Sequence, residues 1–307
     1  MAETTATPAT STVTELLFLH AQTSLHPGSG TALGVVDLPI QRERHTQWPI
    51  IPGSSLKGIL RDAYRRRGND DDWITAFGPE TADADKHAGA LSLTDARILA
   101  FPVRSLRGVF AWVTCKAVLT RLQRDLKLVP SKSNSLILPQ SWPDKDKALC
   151  QQSAPLLVDG NKLVLEEFEF ERTGDAKEVA CWVSHRAVDD KATKELLNSH
   201  LVVLHDDDFT HFVRHATEIV ARIGLDPEKK TVREGALFYQ ECLPPETLFY
   251  SLVFANDSRK QGCKKKAPEI MSYLQNNLPP VIQIGGDETT GKGLCAVKLS
   301  NKKGGVQ

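Results

Sequence analysis

Three groups of residues in this chain have types and spacings suited to chemistry. The first is a histidine followed, across a glycine-rich stretch, by a lone carboxylate: His26-Pro27-Gly28-Ser29-Gly30, then Gly34-Val35-Val36-Asp37-Leu38. A histidine can move a proton near neutral pH, and a carboxylate can act as a base or hold a divalent ion. The second is Pro52-Gly53-Ser54-Ser55-Leu56-Lys57-Gly58, which reads as the opening of a helix. Ser54 or Ser55 can cap it by accepting from the orphan amides of the first turn. Exposed amides, two hydroxyls and Lys57 then make a cradle for a phosphate, and Arg61, four residues on, shares the face of Lys57. The third is the loop from Gly285 to Gly293. It lacks the Gly-x-x-x-x-Gly-Lys-[Ser/Thr] pattern of a P-loop and leads into a strand. Alone it reads equally well as a plain turn. Paired with the serine cradle it reads as a second clamp on a sugar-phosphate backbone, through Gly285, Gly286 and Lys292. Together these groups point to a protein that grips nucleic acid and cuts it.

Charge supports this only if it is segregated. The 307 residues carry a formal net charge of zero, which argues against a free-standing basic nucleic-acid binder. Basic residues nevertheless cluster, from Arg42 and Arg44 through Lys57, Arg61 and Arg65 to Arg67, and again over 259–266. Acidic residues gather at Asp70–Asp72, Glu166–Glu171 and Asp206–Asp208. A basic groove with an acidic back is the arrangement expected, with Arg42 among the RNA-facing cations. Six cysteines form no Cys-x-x-Cys pair and read as reduced thiols of a cytoplasmic protein. Residues 1–13 lack the basic start and apolar core of a signal peptide and read as a disordered tail, and 301–307 reads as a second tail. No apolar run reaches the roughly 20 residues that a bilayer requires.

The elements that must hold these groups follow from periodicity. Val13 to Leu25 reads as a strand, Ser54 to Arg67 as a helix, and Asp70 to Ala88 as polar loop. Strands are expected over Ala90–Phe101 and Arg107–Cys115, a helix over Lys116–Leu128, and irregular chain over the proline-bearing stretch from Ser131 to Asn161. Leu163–Glu171 alternates like a single half-exposed strand. Leu201–His205 is a further strand, and Asp206–Asp208 reads as the acidic cap of a helix ending near His215. On that helix His211 and His215 stand four apart, a two-histidine metal spacing without the glutamate of a His-Glu-x-x-His motif, so a surface helix is the better reading. Glu218–Gly224 and Thr231–Glu241 form a hairpin. Thr247–Phe254, a helix over Pro268–Leu278, and strands at Val281–Ile284 and Leu294–Leu299 complete the chain. The order strand, helix, strand, then strand, helix, strand fits an α+β, ferredoxin-like sheet. One elaborated domain over 14–300 is expected, with insertions near 26–52, 130–200 and 218–241.

Three stretches carry a resemblance. His26-Pro-Gly-Ser-Gly through Ile51-Pro-Gly-Ser-Ser-Leu-Lys-Gly-Ile-Leu-Arg61, Thr231-Val-Arg-Glu-Gly-Ala-Leu-Phe-Tyr-Gln-Glu-Cys-Leu-Pro244, and Ile284-Gly-Gly-Asp-Glu-Thr-Thr-Gly-Lys-Gly-Leu294 resemble the RAMP superfamily subunits of type III CRISPR effector complexes. The match is greatest to the fourth subunit of the Cmr module, type III-B. The resemblance implies an RNA-recognition-motif-like core, a projecting hairpin thumb, binding of guide RNA and target RNA, and assembly with other copies and sister subunits. It implies endonucleolytic cleavage of the target, assisted by a divalent cation, Mg or Mn. It gives Asp37 the essential role in cleavage, as base or metal ligand, makes His26 its proton-transfer or phosphate-binding neighbour, and places Glu241 at the base of the thumb as a further catalytic candidate. Alternatives are a guide-holding scaffold that does not cut, the type III-A counterpart, and a repeat-RNA processing endonuclease.

Overall fold

The computed structural model describes residues 11–300, apart from 33, 66–69, 131–134, 225, 227, 230, 234 and 235. In chain order the strands are β1 (Thr12–Ala21), β2 (Ile50–Ile51), β3 (Leu91–Leu93), β4 (Ala96–Arg104), β5 (Phe110–Cys115), β6 (Lys147–Leu149), β7 (Leu157–Val158), β8 (Lys162–Leu165), β9 (Phe168–Gly174), β10 (Leu201–Leu204), β11 (Glu218–Arg222), β12 (Phe238–Cys242), β13 (Leu248–Asn256), β14 (Val281–Gln283) and β15 (Leu294–Leu299). The helices are α1 (Gly53–Arg65), α2 (Asp70–Phe77), α3 (Lys116–Leu126), α4 (Lys177–Ala187), α5 (Lys191–His200), α6 (Asp206–His215) and α7 (Ala267–Asn277). The fold is mixed α+β. All strands but β11 and β12 belong to one sheet, whose main path runs β14-β15-β1-β13-β4-β5-β10-β6-β9-β8-β7. Strand β4 serves both halves: Arg97 to Ala100 face β13, and Phe101 to Arg104 face β5.

Strand β1 lies between β15 and β13 and is buried from Thr14 to Ala21. Such continuous burial marks a strand covered on both faces. Glu15 reaches one cover, accepting from Gln275 of α7 at 3.1 Å. Phe18, on the opposite face, meets Trp182 of α4 at 6.2 Å between rings. Helix α1 packs through Leu56, Leu60 and Tyr64, and the Tyr64 hydroxyl donates to the Leu274 carbonyl of α7. Its start needs glycine, because a Cβ on Gly53 would stand 2.7 Å from the Leu93 carbonyl oxygen.

Several expectations require correction. No serine caps α1: the helix begins at Gly53, whose amide donates to Asp95 Oδ1 at 2.8 Å, and Ser54 and Ser55 stand exposed within the first turn. The segment Asp70–Ala88, expected as loop, opens with α2, anchored by the Trp73 indole N–H on the Arg61 carbonyl at 2.7 Å. The 130–200 segment holds α4 and α5 in its second half. Leu163–Glu171 is a hairpin rather than one strand, turning at Glu166 and Glu167. The cap of α6 is the His205 side chain, which accepts from the Asp207 amide, while Asp206 takes the Ala117 amide of α3 at 2.9 Å. Strand β12 begins at Phe238, later than expected.

Candidate active site

The loop that leaves β1 is pinned to the base of the β11–β12 hairpin. Leu25 and Leu243 exchange backbone hydrogen bonds of 2.9 and 2.8 Å. The next residue, His26, is buried, with Nδ1 2.6 Å from the Glu241 carbonyl oxygen. A carbonyl only accepts, so Nδ1 carries the proton and Nε2 is left as the acceptor. That nitrogen faces Gly28, where any Cβ would come within 2.8 Å of it. The His26 carbonyl receives the Gly286 amide at 3.1 Å, and a Cβ on Gly285 would collide with the same oxygen at 2.2 Å. Glycines on both sides therefore let the chain close around this histidine.

Asp37 arrives from the far side of the loop. The Leu38 amide donates to the Tyr239 carbonyl at 3.0 Å, and the Glu241 amide donates to the Leu38 carbonyl at 2.9 Å. Leu38 and Gln240 thus form an isolated parallel bridge, which ties the loop to the open edge of the hairpin. In this register the Tyr239 amide donates to Asp37 Oδ2 at 2.7 Å. A carboxylate held through one oxygen keeps lone pairs on the other for a ligand or a proton.

Glu241 holds both pieces. Its backbone carbonyl fixes His26, and its carboxylate accepts from the Ile40 amide at 3.1 Å, from the Thr217 hydroxyl at 3.0 Å and from the Arg42 guanidinium. Glu241 and Arg42 side chains are 8% and 15% exposed, so this ion pair is largely shielded from water. Arg42 also donates to the Gln47 and Val213 carbonyls at 2.8 and 2.9 Å. Both residues lie at the site, with their polar atoms already engaged in holding the loop.

The glycine-rich loop closes the other flank. Asp287 Oδ2 accepts from Gln240 Nε2 and from Arg222, each at 2.7 Å, and Arg222 Nε donates to Gln240 Oε1 at 3.0 Å. Lys292 Nζ lies 3.2 Å from Cys242 Sγ. Burial pushes the Cys242 thiol up, against the pull of Lys292, so the lysine meets a neutral sulfur. His26, Asp37, Glu241, Arg42, Gly285, Gly286 and Lys292 are therefore brought together. Asp287, Arg222, Gln240 and Thr217 join them without having been singled out in the sequence. Gln240 stood beside Glu241 in a quoted motif; nothing in the sequence links Arg222 to Asp287.

The expected cradle on α1 is a separate element. Lys57 is half-buried, and burial followed by the nearby Arg61 pulls its pKa down. Arg61 is bound within the protein: it donates to the Pro79 carbonyl at 2.7 Å, lies 4.8 Å over the Trp73 ring and pairs with Glu80 at 3.5 Å. A groove of about 510 Å³ separates α1 from β14 and the glycine-rich loop, with Asp62 and Glu288 among its walls. Among the described residues, no three His, Cys, Asp or Glu side chains converge as a ready-made metal cluster. None of the described helices is long and apolar enough to cross a membrane.

The sequence signature of the RAMP superfamily matches residues 18–296, nearly the whole chain. This chain belongs to the RAMP superfamily. Among similar RAMP proteins is the Cmr endoribonuclease Cmr4 of Pyrococcus furiosus, 40% identical over 289 residues, spanning 92% of this chain and 95% of that one. The crystal structure of oligomeric Cmr4 from the same organism superposes with a TM-score of 0.72 at 32% identity, covering 94% and 98% of the two chains. A type III-B Cmr-beta complex bound to cognate target RNA contains a chain that matches with a TM-score of 0.74, covering 95% of this chain and 99% of that one. At 24% identity, that last likeness is one of fold.

Proposed function

We propose that this chain is the repeating backbone subunit of a type III-B Cmr complex, working in the cytoplasm, and that it cuts target RNA paired to a bound guide RNA. The observation that carries the cutting role is the Asp37 carboxylate, fixed by the Tyr239 amide, in a loop that also holds His26 by its Nδ1. The 40% identity to a protein named as an endoribonuclease supports the same reading. The order β15-β1-β13-β4, antiparallel throughout, with α1 and α7 in the chain between the first and second pairs of these strands, supports a ferredoxin-like core.

RNA supplies its own nucleophile, the 2′-hydroxyl. The protein then has to align that hydroxyl with the scissile phosphate, offset charge and help a proton move. Asp37 supports the role of base or ion ligand. His26 Nε2 is the proton acceptor left by the Glu241 carbonyl. Glu241 and Arg42 act as positioning residues, since their polar atoms hold the loop. Asp37 fits a divalent ion of the magnesium kind, which takes one or two carboxylates and completes its shell with water and substrate phosphate. Such an ion would supply charge neutralisation at that phosphate. Lys292, Gly285, Gly286 and the exposed first turn of α1 with Ser54, Ser55 and Lys57 are the backbone-gripping groups. Guide-target pairing reads the sequence while the protein reads shape and phosphate.

The test is to purify the chain from its source cell, identify the small RNAs and sister subunits that accompany it, and offer the complex a labelled complementary RNA. Regularly spaced fragments are expected. Intact target in the presence of a bound guide would reduce the chain to a scaffold.

A further inference from the structure

The turn between β8 and β9 consists of Glu166 and Glu167 alone, because Leu165 pairs with Phe168 across it. Glu166 takes a φ of 49°, in the left-handed region where two-residue hairpins favour Asn, Asp or Gly. The turn is held in this shape from β4, since the Glu166 amide donates to the Arg104 carbonyl at 2.9 Å. The Glu166 carboxylate is tied to Arg104 at 2.8 Å, whereas Glu167 is exposed and has no ion-pair partner among the described residues.

This turn faces the C-terminal half of α6 across an open pocket of about 280 Å³. Exposed rings line it: His211 lies 5.0 Å from Phe168 and 4.8 Å from His215, between centroids. Burial, then His211, Arg214 and Arg42, pulls the His215 pKa down, which keeps that ring neutral near physiological pH. Aromatic faces beside carboxylates recognise a guanidinium or an ammonium, and the carboxylates repel a phosphate.

A matching donor lies on the opposite end of the sheet. The basic run 259–266 follows β13, where Asn256 pairs with Thr12 at the start of β1. Within it Lys260, Lys265 and Lys266 are paired with Asp71, Asp72 and Asp257. Arg259 and Lys264 are exposed and have no partner among the described residues. The pocket instead adjoins the other end of β1, since Thr217, on its wall, bonds Glu241 beside His26. Strand β1 has ten residues, so the two ends stand roughly 30 Å apart, beyond the reach of any side chain.

We infer that the Glu166–Glu167 turn and α6 form a socket for the Arg259 and Lys264 side chains of a second copy of this chain. Two different surfaces then meet, which gives a head-to-tail row rather than a closed pair. The inference deepens the proposed function, and rests on its reading that copies line up. It adds that each junction is built against an active site: the socket's Thr217 bonds Glu241, and the Val213 carbonyl of α6 receives Arg42.

The test uses full-length protein without RNA, followed by light scattering and sedimentation. Glu167→Lys in one preparation, and Arg259→Glu with Lys264→Glu in another, should each weaken self-association by about tenfold or more, because like charges then face each other. Mixing the two preparations should restore the row, since every junction regains opposite charges. Circular dichroism checks that both variants are folded. Self-association unchanged in either variant, no recovery on mixing, or a wild type that stays monomeric would each overturn the socket. So would a Glu167→Lys chain that assembles normally and binds RNA more tightly, which would turn the pocket toward nucleic acid. Because the readout is assembly without RNA, a failure to bind or cut RNA would count against the functional reading alone.

Discussion

Asp37 Oδ2 accepts the backbone amide of Tyr239 at 2.7 Å, so the loop carboxylate is aimed by the hairpin and not by the central sheet. Asn at position 37 can still accept that amide while losing the charge. Asp37→Asn is therefore expected to keep target affinity within a few-fold and to slow cleavage by orders of magnitude, as for a group that acts mainly in the transition state. Single-turnover cleavage and equilibrium binding, with and without a chelator, separate the two. Normal cutting by the variant would move the catalytic centre elsewhere.

The Arg42–Glu241 pair is shielded, and removing one partner strands the other. Glu241→Ala or Arg42→Ala should each cost about 3 kcal/mol of stability, the lower end for breaking a buried pair. The double variant should cost less than the sum of the two. Denaturant unfolding of all three tests this. Additive losses would mean that the two side chains do not depend on each other.

Gly285 and Gly291 offer a matched comparison. Both have positive φ, 81° and 77°, but a Cβ at 285 would collide with the His26 carbonyl while one at 291 meets nothing within 4 Å. Gly291→Ala should cost about 1 kcal/mol, the conformational part alone. Gly285→Ala should cost clearly more and slow cleavage as well, because the main chain at His26 has to move. Equal effects on unfolding and cleavage would show that the close approach is unimportant.

Lys57 and Arg61 share a helix but should behave differently. Lys57→Ala is expected to weaken RNA binding alike for every sequence and to reduce the salt slope by about one. Arg61→Ala should mainly lower stability, because its guanidinium is bound to Pro79, Trp73 and Glu80. Affinity measured across a salt series, beside thermal melts, distinguishes them. A larger change of salt slope for Arg61 would reverse the assignment.

Much of the frame was legible in the sequence because periodicity reports burial. Strand β1 and helices α1 and α3 were marked by their apolar spacing, and α6 by its acidic start. Two kinds of feature were hidden. The Glu166–Glu167 turn carries no glycine, asparagine or proline, so two short strands read as one. The stripe that α4 buries, Val179, Ala180, Val183, Ser184 and Ala187, is made of small side chains and a serine, and the large Trp182 stands beside it, so the apolar contrast along the helix is faint. At the candidate site, Asp37 and His26 were singled out by the resemblance, since a lone carboxylate in a loop more often only caps a turn. The Asp287–Arg222–Gln240 bonds were not legible, since they join positions separated by most of a hairpin and a helix, and only the folded chain makes them neighbours.

Strand β12 pairs with β11 along one edge and is bridged by Leu38 of the Asp37 loop on the other. Alternation along it directs Gln240 to the glycine-rich loop and Glu241 to Arg42. Inserting a single residue between Phe238 and Cys242 would exchange those directions and undo both attachments at once. Insertions between Arg222 and Phe238 would leave them in place. The root of the hairpin is thus locked to a fixed spelling by the Asp37 loop beside it, a constraint that does not extend beyond Arg222 and Phe238.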